Sequence, residues 1–208
     1  MDFKDLAIAA QFDAALTSVH WLYANAPHAP TYETRLELLD AVLPEVVGIT
    51  GDLAEFGVYT GSVTRHVRPR FPYRGYHAFD SFLGVPETMV LSVAKHSFDL
   101  GGVVPDLPPA TIVHAGWFAD TVPLWSAAFE GKLAFVYIDC DLYASVRTVL
   151  DGIVDKLSVG AVLAFDDWYN FPNWQAHSAR AVAEMTGLRL DPLGFCTKEH
   201  SGAFRVRP

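Results

Sequence analysis

The chain has 208 residues, 51% of them hydrophobic, which suffices for one well-buried core and a single main domain. A net charge of -9 argues against nucleic acid as a partner, because neutralising a phosphate backbone needs a clustered basic surface and none is visible. Met1-Asp-Phe-Lys-Asp5 lacks the basic region and apolar run of a signal peptide, and no run reaches membrane-spanning length. Cys140 and Cys196, both in predicted strands, make no disulfide framework, so a reducing, cytoplasmic setting without membrane contact is expected.

In chain order, the pattern predicts a helix over 6–23, a break at Pro27 and Pro30, and a second helix over 32–47. This segment, 1–50, is expected either to lid an acceptor site or to cover a sheet edge, ahead of a main domain over 51–208. Short strands follow at 52–56, 75–79 and 111–115. A weak helix after Gly61 is cut short by Pro69. The stretch 100–109 (LGGVVPDLPP) is rich in Gly and Pro and reads as a loop. Leu133-Ala-Phe-Val-Tyr-Ile138 and Ala161-Val-Leu-Ala-Phe165 have the continuity of strands buried on both faces. Between them Leu142, Val146, Val149, Leu150, Ile153, Val154 and Leu157 recur at helical spacing, closed by Ser158-Val-Gly160. A further helix is predicted over 175–185, and a hairpin pairs 195–198 with 203–206 across His200-Ser-Gly202. The alternation predicts an α/β fold: one doubly wound, mostly parallel sheet with a C-terminal antiparallel hairpin and helices on both faces.

Each of the two greasy runs ends in acid, Asp139-Cys-Asp141 after the first and Asp166-Asp167 after the second. Strand, helix and strand make a βαβ unit, whose parallel strands end on one edge of the sheet, the edge where open α/β sheets bind ligands. Carboxylates crowded there repel one another unless protons or a cation intervene, and a hard divalent ion is the simplest answer.

The first strand of the main domain leads into Glu55-Phe-Gly57-Val-Tyr59-Thr-Gly61-Ser62. Glycines at a strand-to-helix turn let a ligand approach the backbone. Asp80 falls roughly 20 residues further on, where an acidic residue binds ribose hydroxyls. The spacing is GxxxG rather than the dinucleotide fingerprint. Glu55 would repel a pyrophosphate but suits a cationic amino group, which favours S-adenosylmethionine over NAD. The bland alternative is that Gly57 and Gly61 serve a tight turn and Asp80 caps the next helix.

Read in order, the block from Gly51 to Gly61, Phe79-Asp-Ser-Phe-Leu-Gly-Val-Pro86, Gly116-Trp-Phe-Ala-Asp-Thr-Val-Pro123, the block from Ile138 to Ser145, Phe165-Asp-Asp-Trp168 and Ser201-Gly-Ala-Phe204 resemble the macrocin O-methyltransferase family. The resemblance implies a Rossmann-like enzyme that uses S-adenosylmethionine and Mg²⁺ or another divalent cation to methylate a sugar hydroxyl of a secondary metabolite, as in antibiotic biosynthesis. It implies that Asp139, Asp166 and Asp167 hold the metal, with Asp141 either a supporting carboxylate beside them or the general base; on chemical grounds Asp139 or Asp141 is expected to be that base. Glu55, Gly57, Tyr59, Gly61, Ser62, Asp80 and Ser81 would hold the cofactor, with Gly116, Trp117 and Phe118 beside its adenine. The implied partner is a small-molecule glycoside or polyhydroxylated natural product, and a homo-oligomer is left open. One departure stands out: between Pro86 and Gly116 the family usually has a longer, helix-bearing stretch, and this chain has the Gly/Pro-rich loop. That segment borders the acceptor, so acceptor identity is the property least inherited.

Competing readings have specific weaknesses. Asp139-x-Asp141 is also the start of a phosphatase pattern, but Tyr143 replaces its threonine and little room remains for a cap. A metal-dependent glycosyltransferase would need a basic partner for its diphosphate. A non-catalytic binding protein of the same fold has no reason to keep mutually repelling carboxylates. His177 is expected to be a solvated helix residue and His114 a packing residue, with Cys140 pointing into packing. Trp168 and Trp174 fit either an acceptor floor or aromatic core.

Overall fold

The structure, a computed structural model, describes residues 5–88 and 94–207. Of the N-terminal pentapeptide read above, only Asp5 is among them. All six residues of strand β5 (Leu133–Ile138) are buried, as a run without polar alternation requires. Its parallel neighbours are β2 (Asp52–Phe56) and β6 (Leu157–Phe165), and beyond β2 lie β3 (Tyr76–Asp80) and β4 (Ile112–Ala115). On the other side, β8 (Gly202–Val206) runs antiparallel to β6 and to β7 (Leu190–Cys196). A two-residue strand, β1 (Thr31–Tyr32), completes that edge. The order β1-β7-β8-β6-β5-β2-β3-β4 reverses direction between β2 and β5, which is the topological switch point. Among the described residues no helix is long and apolar enough to cross a membrane.

Helices cover both faces. Helix α2 (Arg35–Val46) buries Leu38, Leu39, Val42, Leu43 and Val46, and α3 (Ser62–Val67) buries Val63 and Val67, in the core that contains Leu53, Phe135 and Val162. The opposite core contains Phe56, Ile138 and Phe165. It receives α1 (Leu6–Asn25), α4 (Phe118–Ala128), α5 (Tyr143–Ile153) and α6 (Ser178–Ala183). Each fully buried Leu, Ile, Val or Phe contributes roughly 1.5–3 kcal/mol, so the two layers rather than local propensity hold these short helices. Segment 1–50 therefore supplies a helix to each core.

Several predicted boundaries differ from the observed ones. Strand β6 starts at Leu157, and Ser158-Val159-Gly160 lie within it at a register irregularity instead of ending a helix. Strand β7 starts at Leu190 and ends at Cys196; its register shifts between Pro192 and Gly194, which disguised it. The helix predicted over 175–185 is a 3-10 turn (Trp174–Ala176) followed by α6. Helix α4 was not predicted, since Pro123 within it reads as a breaker. Cys140 lies just beyond β5 rather than in a strand; it is buried, and its thiol reaches Phe56 O at 3.6 Å.

Candidate active site

Four backbone hydrogen bonds finish the carboxyl edge of the sheet and decide which residues meet there. The N–H of Gly116 donates to Asp80 O (2.9 Å), that of Gly57 to Phe79 O (2.9 Å), that of Asp139 to Phe56 O (2.7 Å) and that of Asp166 to Ile138 O (2.9 Å). Gly116, Asp80, Gly57, Asp139 and Asp166 all line one cavity of about 770 Å³ at the switch point, a volume typical of small-molecule sites.

The half of the cavity beside β2 and β3 is largely backbone. Gly57 has φ 93°, and a Cβ there would stand 1.7 Å from Asp139 O, so no other residue fits. Asp80 braces the turn: its Oδ2 accepts the N–H groups of Val58 and Tyr59, each at 2.7 Å, and its Oδ1 accepts that of Phe82 at 2.7 Å. Among the described residues no helix begins at Asp80 for it to cap. Tyr59 is held at φ 48°, an uncommon conformation for a bulky side chain. Gly61, at φ 83°, precedes α3 and lies off the cavity, where a Cβ would meet Leu107 Cδ2 at 2.3 Å. Glu55 is fully buried yet reaches the cavity, and its Oε2 accepts hydroxyls from Thr64 (2.7 Å) and Tyr76 (2.5 Å). Burial pushes its carboxyl up to about 7, against the two hydrogen bonds. Ser62, Ser81, Trp117 and Phe118 line the same wall.

The half beside β5 and β6 is built of side chains. Asp139, Asp141 and Asp167 each offer an oxygen, and the three lie within 4.8 Å of one another. Burial, then repulsion from Asp166 and Asp167, pushes the Asp139 carboxyl well above its ordinary value; burial and Asp166 do the same to Asp167. Asp141 is pushed up to about 6 by burial, then by Asp166 and Asp80, and its backbone sits at φ 55°. The expected metal trio contains Asp166 where the geometry groups Asp141. The carboxylate of Asp166 is engaged elsewhere, accepting from Tyr137 OH (2.5 Å), Ser201 Oγ (3.1 Å) and Arg35 Nη1 (3.3 Å). All-oxygen donors packed this closely fit a hard dication such as Mg²⁺, which would replace the protons that repulsion otherwise forces on them. Arg35 is the one Lys or Arg on the described lining, and it is paired with Asp166. The described lining thus offers no free cation to a pyrophosphate, whereas its glycine turn and buried Glu55 fit a cofactor bearing an ammonium.

Arg35, Phe98, Phe171 and His200 also line the cavity and were not anticipated. Arg35 opens α2, whose start carried a readable sign: Thr34 Oγ1 accepts the Glu37 N–H (3.3 Å) while Glu37 Oε2 accepts the Glu33 N–H (2.9 Å). Nothing local marks the other three. Trp168 and Trp174 are core, packed on Trp21 at 5.7 and 6.2 Å between ring centres. His177 is half-buried against Phe171 (5.3 Å) at the start of α6 rather than solvated on its surface. His114 packs as expected, stacked on Phe79 at 4.2 Å.

Fold and edge together define the class: a Rossmann-like α/β sheet carrying acid at its switch point. Solved structures share that fold. They include calicheamicin methyltransferase CalS11 (TM-score 0.63, 22% identity, 99% of this chain and 93% of that one), the O-methyltransferase NovP (0.60, 24%, 84% and 80%) and an O-methyltransferase from Bacillus cereus in complex with SAH (0.57, 14%, 96% and 91%). Residues 106–186 match the family described as Macrocin-O-methyltransferase (TylF). A curated relative from Streptomyces olivaceus, 8-demethyl-8-(2,3-dimethoxy-alpha-L-rhamnosyl)-tetracenomycin-C 4'-O-methyltransferase, is 29% identical over 178 residues, covering 70% of this chain. The chain spans 64% of that relative's length. The match and the relative support the macrocin O-methyltransferase family for this chain.

Proposed function

We propose that this chain is an Mg²⁺-dependent O-methyltransferase that moves a methyl group from S-adenosylmethionine to a sugar hydroxyl of a secondary metabolite. The observation that carries this reading is a single rung of the sheet: Gly57, at the turn that fits the methyl donor, lies directly against Asp139 of the acidic cluster. The relative's action on a rhamnosyl tetracenomycin supports a glycoside acceptor.

S-adenosylmethionine supplies an electrophilic methyl, and its ammonium would be met by Glu55, its ribose by Asp80 and its adenine by Trp117 and Phe118. A divalent cation, held by Asp139, Asp141 and Asp167, supplies Lewis acidity that makes a sugar hydroxyl easier to ionise. The chain's own residues do the rest. Asp139 or Asp141 takes the hydroxyl proton. Tyr137 and Ser201 fix the Asp166 rotamer, and Arg35 offsets part of the local negative charge. Burial disfavours the Arg35 charge, but Asp166, Tyr137 and Asp139 outweigh it and keep the guanidinium ionised. The braced Gly57 turn then aligns donor and acceptor, and such alignment supplies much of the rate.

The test has two parts. Mass spectrometry of the native protein should find S-adenosylmethionine or its demethylated product bound. Methyl transfer to a glycoside panel should need Mg²⁺, stop in excess EDTA, and fall about 10³-fold or more in Asp167→Asn with cofactor binding retained. Full turnover in EDTA would remove the metal from the proposal, and no cofactor binding at all would remove the activity.

A further inference from the structure

Resting on that reading, we infer that the acceptor carries a flat aromatic aglycone, which the rings of Tyr59 and Phe98 receive at the cavity rim while its sugar reaches the carboxylates. Both residues line the cavity, their ring centres are 5.4 Å apart edge to face, and they remain 43% and 46% exposed. A large aromatic ring left half in water beside a cavity is the unusual arrangement, because such rings are usually carried into a core.

Phe98 is not on a loose loop. Val85 N–H donates to Ser97 O (3.1 Å), His96 N–H to Val85 O (3.0 Å), and Leu100 and Gly102 N–H both donate to Phe82 O (3.1 and 2.8 Å). Leu83 pairs with Asp99 in an antiparallel bridge. Gly84 is indispensable to this packing, since a Cβ there would stand 2.3 Å from Ser97 O. The loop therefore holds Phe98 outward, at φ 66°, and Asp80 holds Tyr59 at φ 48° from the other side. Bulky residues persist in that backbone region only where surrounding contacts over-determine them, a situation common at ligand clamps.

The cavity is thus graded in polarity. Its floor is acidic and suits hydroxyls, whereas its rim is aromatic and suits an aromatic plane, stacked face to face with one ring or edge-on to the other. Phe98, though not Tyr59, lies in the stretch in which the chain departs from the family pattern.

Two glycosides with one sugar test this directly: 4-nitrophenyl and methyl α-L-rhamnopyranoside. Wild type should show a KM roughly tenfold lower for the aromatic glycoside, and Phe98→Ala should bring the ratio close to one, with Phe98→Leu between them. Equal KM values in wild type, or a preference that survives Phe98→Ala, overturn the inference. Saturation-transfer NMR of 2-naphthol with the protein and S-adenosylhomocysteine separates this from the sugar reading. If neither glycoside is methylated, the sugar assignment fails, and the rim then stands only if naphthol binds wild type and loses contact in Phe98→Ala.

Discussion

The two halves of the cavity are made of different material. Beside β2 and β3 the contacts are backbone N–H groups, a glycine that admits no Cβ, and one aspartate that braces its own turn. Beside β5 and β6 they are side chains gathered from α2, from two strand ends and from the β7–β8 turn. The first half is defined by where the main chain goes, so it is rigid and sensitive to steric change. The second is defined by charge balance, so it responds to protons, cations and the loss of single hydrogen bonds.

The largest effect should come from joining the halves by force. Gly57→Ala drives a methyl into Asp139 O and needs a strained φ, so it should cost at least about 2 kcal/mol of stability and abolish cofactor binding. Gly101→Ala, also at positive φ but with open space around it, isolates the strain alone and should cost about 1 kcal/mol. Equal losses in the two variants, read by denaturant titration, would deny the steric role of Gly57.

A smaller effect, confined to the second half, is expected from Tyr137→Phe. It removes a hydroxyl from Asp166 while leaving Ser201 and Arg35 in place. Because Asp166 neighbours the acidic trio without belonging to it, calorimetric titration should show Mg²⁺ affinity reduced by less than about tenfold with cofactor affinity unchanged. Weakened cofactor binding with intact cation binding would reverse the assignment.

The smallest effect concerns pH. The Glu55 carboxyl is raised from 4.5 to about 7 by burial, so between those values the folded state holds a proton that the unfolded state has released. Stability accordingly falls as pH rises through that window, and the penalty is complete above about 7. Glu55→Gln should make the decline between pH 5 and pH 8 shallower than in wild type while weakening cofactor binding at the alkaline end. An unchanged slope would mean that Glu55 is not the buried acid described.

The same division explains what could be read from the chain before its structure. The β5 and β6 runs, their terminal acids and the Gly57 turn are local patterns, and sequence spacing placed them on one edge. The location of Asp166 among Tyr137, Ser201 and Arg35 depends on contacts between distant segments, for which periodicity has no sign. Helix α4 and strand β7 were obscured by Pro123 and by Pro192 with Gly194, residues whose local preference opposes the element that tertiary packing imposes. Phe98 was invisible for a related reason: a lone aromatic in a loop says nothing until the braces on either side fix where it faces.

The direct bond from Asp139 N–H to Phe56 O leaves no hinge between the donor turn and the acids. Their separation is set by one interstrand step rather than by the closing of one body upon another. Retargeting such a molecule should then be a matter of grafting a different segment over 82–104, with the spacing between the Gly57 turn and the acids carried along unaltered by the sheet beneath.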